Sequence, residues 1–124
     1  MTLRQVHADF AWVVVATNAV VGVWALAAHY REQLRVRSLW PATVVAEVTI
    51  FIEVALGVAL VAVQDFEVAQ FHAFYGFVAI ATVGIIYSYR QQVAPHRFLL
   101  YGLGGLFLMG LALRALTISP VPVP

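Results

Sequence analysis

Few residues in this chain can do chemistry, and most of those are histidines and acids. Histidines stand at His7, His29, His72 and His96, and two of the six acids, Glu47 and Glu53, lie inside a long apolar stretch. A neutral imidazole can ligate haem iron axially without help from any thiolate. A carboxylate at bilayer depth can carry a proton, hold an ion or tune a cofactor. The chain contains no cysteine. That excludes disulfides, thiolate metal sites, iron–sulfur clusters and covalently attached c-type haem. A zinc-type centre is a poor fit as well, because Asp9 is the sole evident third ligand beside two histidines. The sequence carries no GxGxxG, P-loop or HExxH pattern and no internal repeat.

The elements that must position these groups are membrane spans. Hydrophobic residues make up 63% of the 124 and charged residues only 10%, against about 25% charged in soluble domains. Lipid accepts such an exterior and water does not. Four apolar segments stand out, at about 10–28, 42–63, 71–89 and 98–118. Each is near the ~20 residues that a helix needs to cross the hydrocarbon. Backbone amides in lipid must bond within their own segment, so the abundant valine and isoleucine do not indicate strands. The short connections, 29–41, 64–70 and 90–97, predict antiparallel neighbours. The expected fold is an all-α membrane protein, a four-transmembrane-helix up-down-up-down bundle over 1–118. Residues 119–124, Ser-Pro-Val-Pro-Val-Pro, are expected to leave it as an extended tail.

Orientation follows from arginine, since every basic residue is one. Arg31, Arg35, Arg37, Arg90 and Arg97 lie in the first and third connections; Arg4 and Arg114 lie toward the opposite side. The positive-inside rule then places loops 29–41 and 90–97 in the cytoplasm and both termini outside, in an inner or plasma membrane. An alternative, cleavage of 1–28 as a signal peptide near Ala-Leu-Ala-Ala, conflicts with the length of the apolar stretch and the thin basic start.

Depth can be read from the helix rise. Glu53 falls roughly 15 Å and Asn18 roughly 12 Å from the outer surface, so the two are expected to share a hydrogen bond. Thr49, Glu53 and Gly57 form one stripe, and Asn18 and Gly22 another, which predicts a glycine-lined seam between the first two helices. Arg114 is placed to snorkel outward or to reach inward toward Glu53. Glu47, nearer the cytoplasmic side, has Tyr101, Tyr87 and Arg90 as candidate partners. Two readings of Glu53 stand side by side: a functional carboxylate, or a protonated acid that locks helices together.

The same topology sorts the histidines into two pairs. His7 and His72 fall at the outer surface, and His29 and His96 at the cytoplasmic one. One histidine from each of two helices at equal depth is what axial coordination of a b-type haem requires. His72, Gly76, Ile80 and Gly84 are expected to share a face that leaves room for a flat macrocycle, next to the aromatic run Phe71-His-Ala-Phe-Tyr. The arrangement is similar to small four-helix b-type cytochromes and to the haem-bearing membrane anchors of respiratory dehydrogenases. The likeness rests on helix count and on histidines at helix ends. One departure is that His7 precedes its expected span by about a turn.

Three functions follow as expectations. The first is a non-catalytic accessory or scaffold subunit of a larger respiratory or energy-converting complex, since no loop offers room for a substrate domain. The second is a haem b electron-transfer protein that uses His7 and His72, with Tyr75 and Glu53 close by. The third is a small proton- or ion-coupled transporter built on Glu53. Expected partners are the bilayer and other membrane subunits or further copies of the chain. The net charge of +1 offers nothing to neutralise nucleic-acid phosphates.

Overall fold

The computed structural model describes residues 1–65 and 70–118. It contains four long helices: α1 (Leu3–Tyr30), α2 (Leu39–Gln64), α3 (Gln70–Tyr89) and α4 (Arg97–Thr117). Single 3₁₀ turns at Glu32–Leu34 and Ala94–His96 precede α2 and α4. No strand occurs among the described residues, and four helices are long and apolar enough to cross a membrane. The proline-rich tail at 119–124 lies outside the described residues.

Helix α1 begins seven residues before the apolar stretch does. Thr2 accepts a hydrogen bond from the Gln5 amide (3.1 Å), and the Gln5 side chain accepts one from the Thr2 amide (2.9 Å). This reciprocal box satisfies two of the amides that a helix start leaves unpaired. The expected start near Phe10 is therefore too late, because hydropathy cannot see a polar first turn. At the other end, Arg35 replaces missing helix partners. Its Nε donates to the Ala28 carbonyl (2.8 Å) and Nη2 to the His29 carbonyl (3.0 Å). A cation there also complements the negative end of the helix dipole. Trp24 Nε1 donates to the Leu34 carbonyl (3.0 Å), which ties the connection back to α1. Pro41 sits in the first turn of α2, where no amide hydrogen is required.

Helix α1 is the hub, with extensive packing against α4 and α2. Helix α3 packs on α4 and only lightly on α2. Glycines set the tightest seam. A methyl group added at Gly102 would lie 2.6 Å from the Leu26 amide nitrogen, and one at Gly105 would lie 2.9 Å from the Gly22 Cα. Gly22 thus serves the α1–α4 contact, not the expected α1–α2 one. Successive positions i and i+4 on a helix are offset by about 40°, so Asn18 can face α2 while Gly22 faces α4.

Two apolar cores result. Ala25, Ala28, Leu39 and Phe98 close the His29 end, with Trp24, Trp40 and Tyr101 packed on them. Val14, Ile50, Val83, Ile86, Leu108 and Leu111 fill the middle. Of the described side chains on α3, only Val83 and Ile86 are buried, both in its second half. Phe71, Phe74 and Phe77 project from its first half, Phe77 being 70% exposed. A surface of this kind suits lipid.

Candidate functional site

At the end of the bundle where α1 and α3 begin, three ionisable side chains meet from three helices. Because α1 starts at Leu3, His7 stands in its second turn, inside the helix and not before it. Its Nδ1 lies 3.1 Å from Glu53 Oε1 of α2. Both side chains are mostly covered, at 21% and 15% exposure. The His72 ring, from the first turn of α3, lies edge-on to the His7 ring, with centroids 6.2 Å apart and planes at 81°. His72 Nδ1 is 2.9 Å from the Ala115 carbonyl oxygen of α4. With that carbonyl as acceptor, Nδ1 carries the proton and Nε2 is left with a free lone pair.

The His7–Glu53 contact is unusual in one respect. The two atoms are close but off the line of a good hydrogen bond, and both are sealed from solvent with no other partner. Buried polar atoms are nearly always satisfied, so this pair is an exception to the usual pattern. Gly57, one turn beyond Glu53, walls the ring: a methyl group there would lie 3.1 Å from His7 Cε1.

Asn18 takes no part in this cluster. It is 1% exposed, and its amide donates to the carbonyls of Val14 (2.9 Å) and Ala46 (3.3 Å). The expected Asn18–Glu53 bond is absent because the true start of α1 moves Asn18 about 10 Å further along its helix. Thr17 and Thr49 instead join α1 to α2 beside it, their hydroxyls 3.3 Å apart. Arg114 is exposed and reaches Thr117, at 3.5 Å, toward the end of α4, not Glu53. Glu47 is half-buried in α2, with Tyr101 within its electrostatic reach and Tyr87 and Arg90 close to the same tyrosine.

The proposed macrocycle face on α3 is not continuous. Gly76 turns toward Val54 of α2 (3.9 Å from an added methyl group), while Gly84 faces open space. A helical row that steps by four residues drifts about 40° each time, so twelve residues carry it about 120° away from His72.

At the opposite end, His29 and His96 have the same ring spacing, 6.2 Å, with planes at 50°. Their surroundings differ. His96 is exposed in the 3₁₀ turn, and His29 packs edge-on to Tyr30. Neither ring is anchored by a hydrogen bond among the described residues.

No family model, no curated protein and no solved structure matches this chain.

The site's chemistry therefore rests on its own geometry. The His7 and His72 ring centroids are 6.2 Å apart, the same spacing as His29 and His96, with the planes at 81°. Metal-ligating histidines typically donate their other nitrogen to a carboxylate or a backbone carbonyl. His7 faces the first kind of acceptor and His72 the second. No group of three or more histidine or acidic side chains among the described residues is arranged to hold a metal ion. Sequence reading set Gly57 on the Glu53 stripe but not against the His7 ring, and it did not find the Ala115 carbonyl that meets His72.

Proposed function

We propose that this is an integral membrane protein that holds a b-type haem between His7 and His72 and serves as a small electron-transfer subunit of a larger membrane assembly. The observation that carries the reading is the pair of imidazole rings with centroids 6.2 Å apart, His72 bonded at Nδ1 to the Ala115 carbonyl and His7 Nδ1 lying 3.1 Å from the Glu53 carboxylate. A haem there would carry one electron at a time, taken from and returned to redox groups of neighbouring subunits. The chain's own residues bind and orient it: His7 and His72 as ligands, Glu53 and the Ala115 carbonyl as ring anchors. Helices α2 and α3 make only light contact with each other.

The assembly part of the reading rests on size. The described connections are short, the 31–38 segment being the longest, and offer no substrate-binding domain. Helix topology is inferred as up-down-up-down. His7 near the start of α1 meets the later part of α2, His29 at its end meets the start of α4, and His72 at the start of α3 meets the end of α4. With five arginines around the His29 end, that end is assigned to the cytoplasm and the haem end to the opposite face.

The test is the absorption spectrum of the chain purified in mild detergent from cells able to make haem. A Soret band with the sharp reduced α-band of a six-coordinate haem supports the reading. A colourless preparation removes it and leaves Glu53, paired with His7, as the carboxylate of a proton-coupled carrier.

A further inference from the structure

The end of the bundle that carries His29 and His96 holds positive charge that the chain itself does not neutralise. Arg31, Arg35, Arg37, Arg90 and Arg97 are gathered there, and the acids nearby are Glu32, exposed, and Glu47, half-buried in α2. None of these five arginines forms an ion pair among the described residues. Two of them serve the fold. Arg35 caps the last carbonyls of α1. Arg90 folds back on its own helix, where Nη1 donates to the Tyr87 carbonyl (2.7 Å) and the guanidinium lies 3.7 Å from the Tyr87 ring centroid. Arg97 differs. It is exposed, and its guanidinium lies 5.1 Å from the Phe98 ring centroid and 5.7 Å from that of Trp40. None of its side-chain N–H groups has an acceptor among the described residues. Contact with ring faces holds a guanidinium in place without using those donors.

Next to Arg97 opens an apolar groove of about 420 Å³. Val93 and His96 stand at its mouth, and Leu100, Leu103, Gly104 and Phe107 line it along α4. Ile86 of α3 fills the space against Gly104. Gly104 follows Arg97 by seven residues, so the two share a helix face to within about 20°. From His96 to Phe107 the helix rises roughly 16 Å, about the depth of one leaflet's hydrocarbon. This end therefore lacks a negative charge and offers an apolar channel beside it. A headgroup phosphate on an acyl chain supplies both in one molecule. Arginine suits the phosphate because its planar fork presents paired donors, and basic sites between helices at a membrane surface bind anionic headgroups.

We propose that this groove is a site for one anionic phospholipid: an acyl chain lies along α4 between His96 and Phe107, and the phosphate pairs with Arg97. The site is at the opposite end from His7, Glu53 and His72 and is independent of the haem reading. The test uses the whole chain, purified in mild detergent and stripped of lipid. It is titrated with phosphatidylglycerol or phosphatidylcholine of identical acyl chains, and bound lipids are counted by native mass spectrometry. The parent is expected to retain phosphatidylglycerol in preference to phosphatidylcholine. Arg97→Gln should weaken that retention about fivefold, the effect of one arginine at a membrane surface. Arg37→Gln removes the same charge from the first connection and should leave retention close to the parent's.

A second variant keeps the test open should Arg97→Gln fail to accumulate. Leu103→Trp adds bulk to the groove, leaves every arginine in place and is also expected to weaken retention. Equal retention of the two lipids by the parent overturns the site. So does an equal loss in Arg97→Gln and Arg37→Gln, which would mean diffuse attraction to charge. Displacement of the lipid by soluble glycerol phosphate, or full retention in Leu103→Trp, overturns the role of the groove.

Discussion

The two ends of this bundle carry the same residue pair at the same ring spacing but in different surroundings. His7–His72 and His29–His96 both stand 6.2 Å apart by ring centroid. At the first end His72 Nδ1 is paired with the Ala115 carbonyl, while His7 Nδ1 and Glu53 Oε1 lie 3.1 Å apart, buried and without a hydrogen bond among the described residues. At the second end neither ring has a hydrogen bond among the described residues, and the space between the helices is filled by Leu39, Phe98, Trp40 and Tyr101. Arg35 and Arg97 close over this aromatic plug, with the Arg35 guanidinium 4.9 Å from the Phe98 ring centroid. The comparison teaches that histidine spacing alone does not make a ligand site. What distinguishes the ends is that His72 is bonded at Nδ1 and His7 faces a carboxylate, whereas neither His29 nor His96 has a ring hydrogen bond among the described residues.

The largest effect is expected where the sealed half is tightest. Gly102→Leu should cost at least about 3 kcal/mol, because the added atoms meet the α1 backbone, which cannot yield as a side chain can. Gly110→Leu, with nothing within 4 Å of an added methyl group, is the matched control and should be close to neutral. Thermal unfolding in detergent measures both. Equal midpoints for the two variants would mean that the α1–α4 seam does not hold the bundle.

Next comes the polar tie between α1 and α2. Asn18→Leu keeps roughly the same bulk but removes the amide that bonds Val14 and Ala46. A loss of about 1–2 kcal/mol is expected. The histidine cluster does not include Asn18, so any bound haem should stay. Loss of colour in this variant would show that the middle of the bundle and the His7 end are one unit.

The smallest effect is at the sealed end itself. Arg35→Gln removes the cation from the last carbonyls of α1 and should cost less than about 1 kcal/mol. Amide exchange across residues 31–38 should quicken, while amides near Glu53 keep their protection. Faster exchange at both ends would deny that the two behave separately.

Much of the fold was legible in the chain. The apolar stretches mark four spans of the right length because lipid demands long internally bonded helices, and the α3 and α4 limits fall within a residue or so of expectation. The start of α1 was not, since Leu3 to Asp9 mixes polar with apolar residues and dilutes hydropathy. The Thr2-x-x-Gln5 box was the signal available there. That one error displaced Asn18 in depth and paired it with the wrong partner. The site itself was legible only as a sorting of histidines by end. Which of them meets Glu53 depends on how each helix is rotated about its axis, and at 100° per residue that setting is fixed by packing such as the Gly22–Gly105 seam. The acceptor for His72 is a backbone carbonyl, which no residue type advertises.

The most direct test of the contrast between the two ends is the haem content of four single variants: His7→Ala, His72→Ala, His29→Ala and His96→Ala. Each is purified in the same detergent and assayed for bound haem per chain. The account predicts that the first two lose it and that the last two retain the parent's content. Retention in His7→Ala and His72→Ala, or loss confined to His29→Ala and His96→Ala, would contradict it.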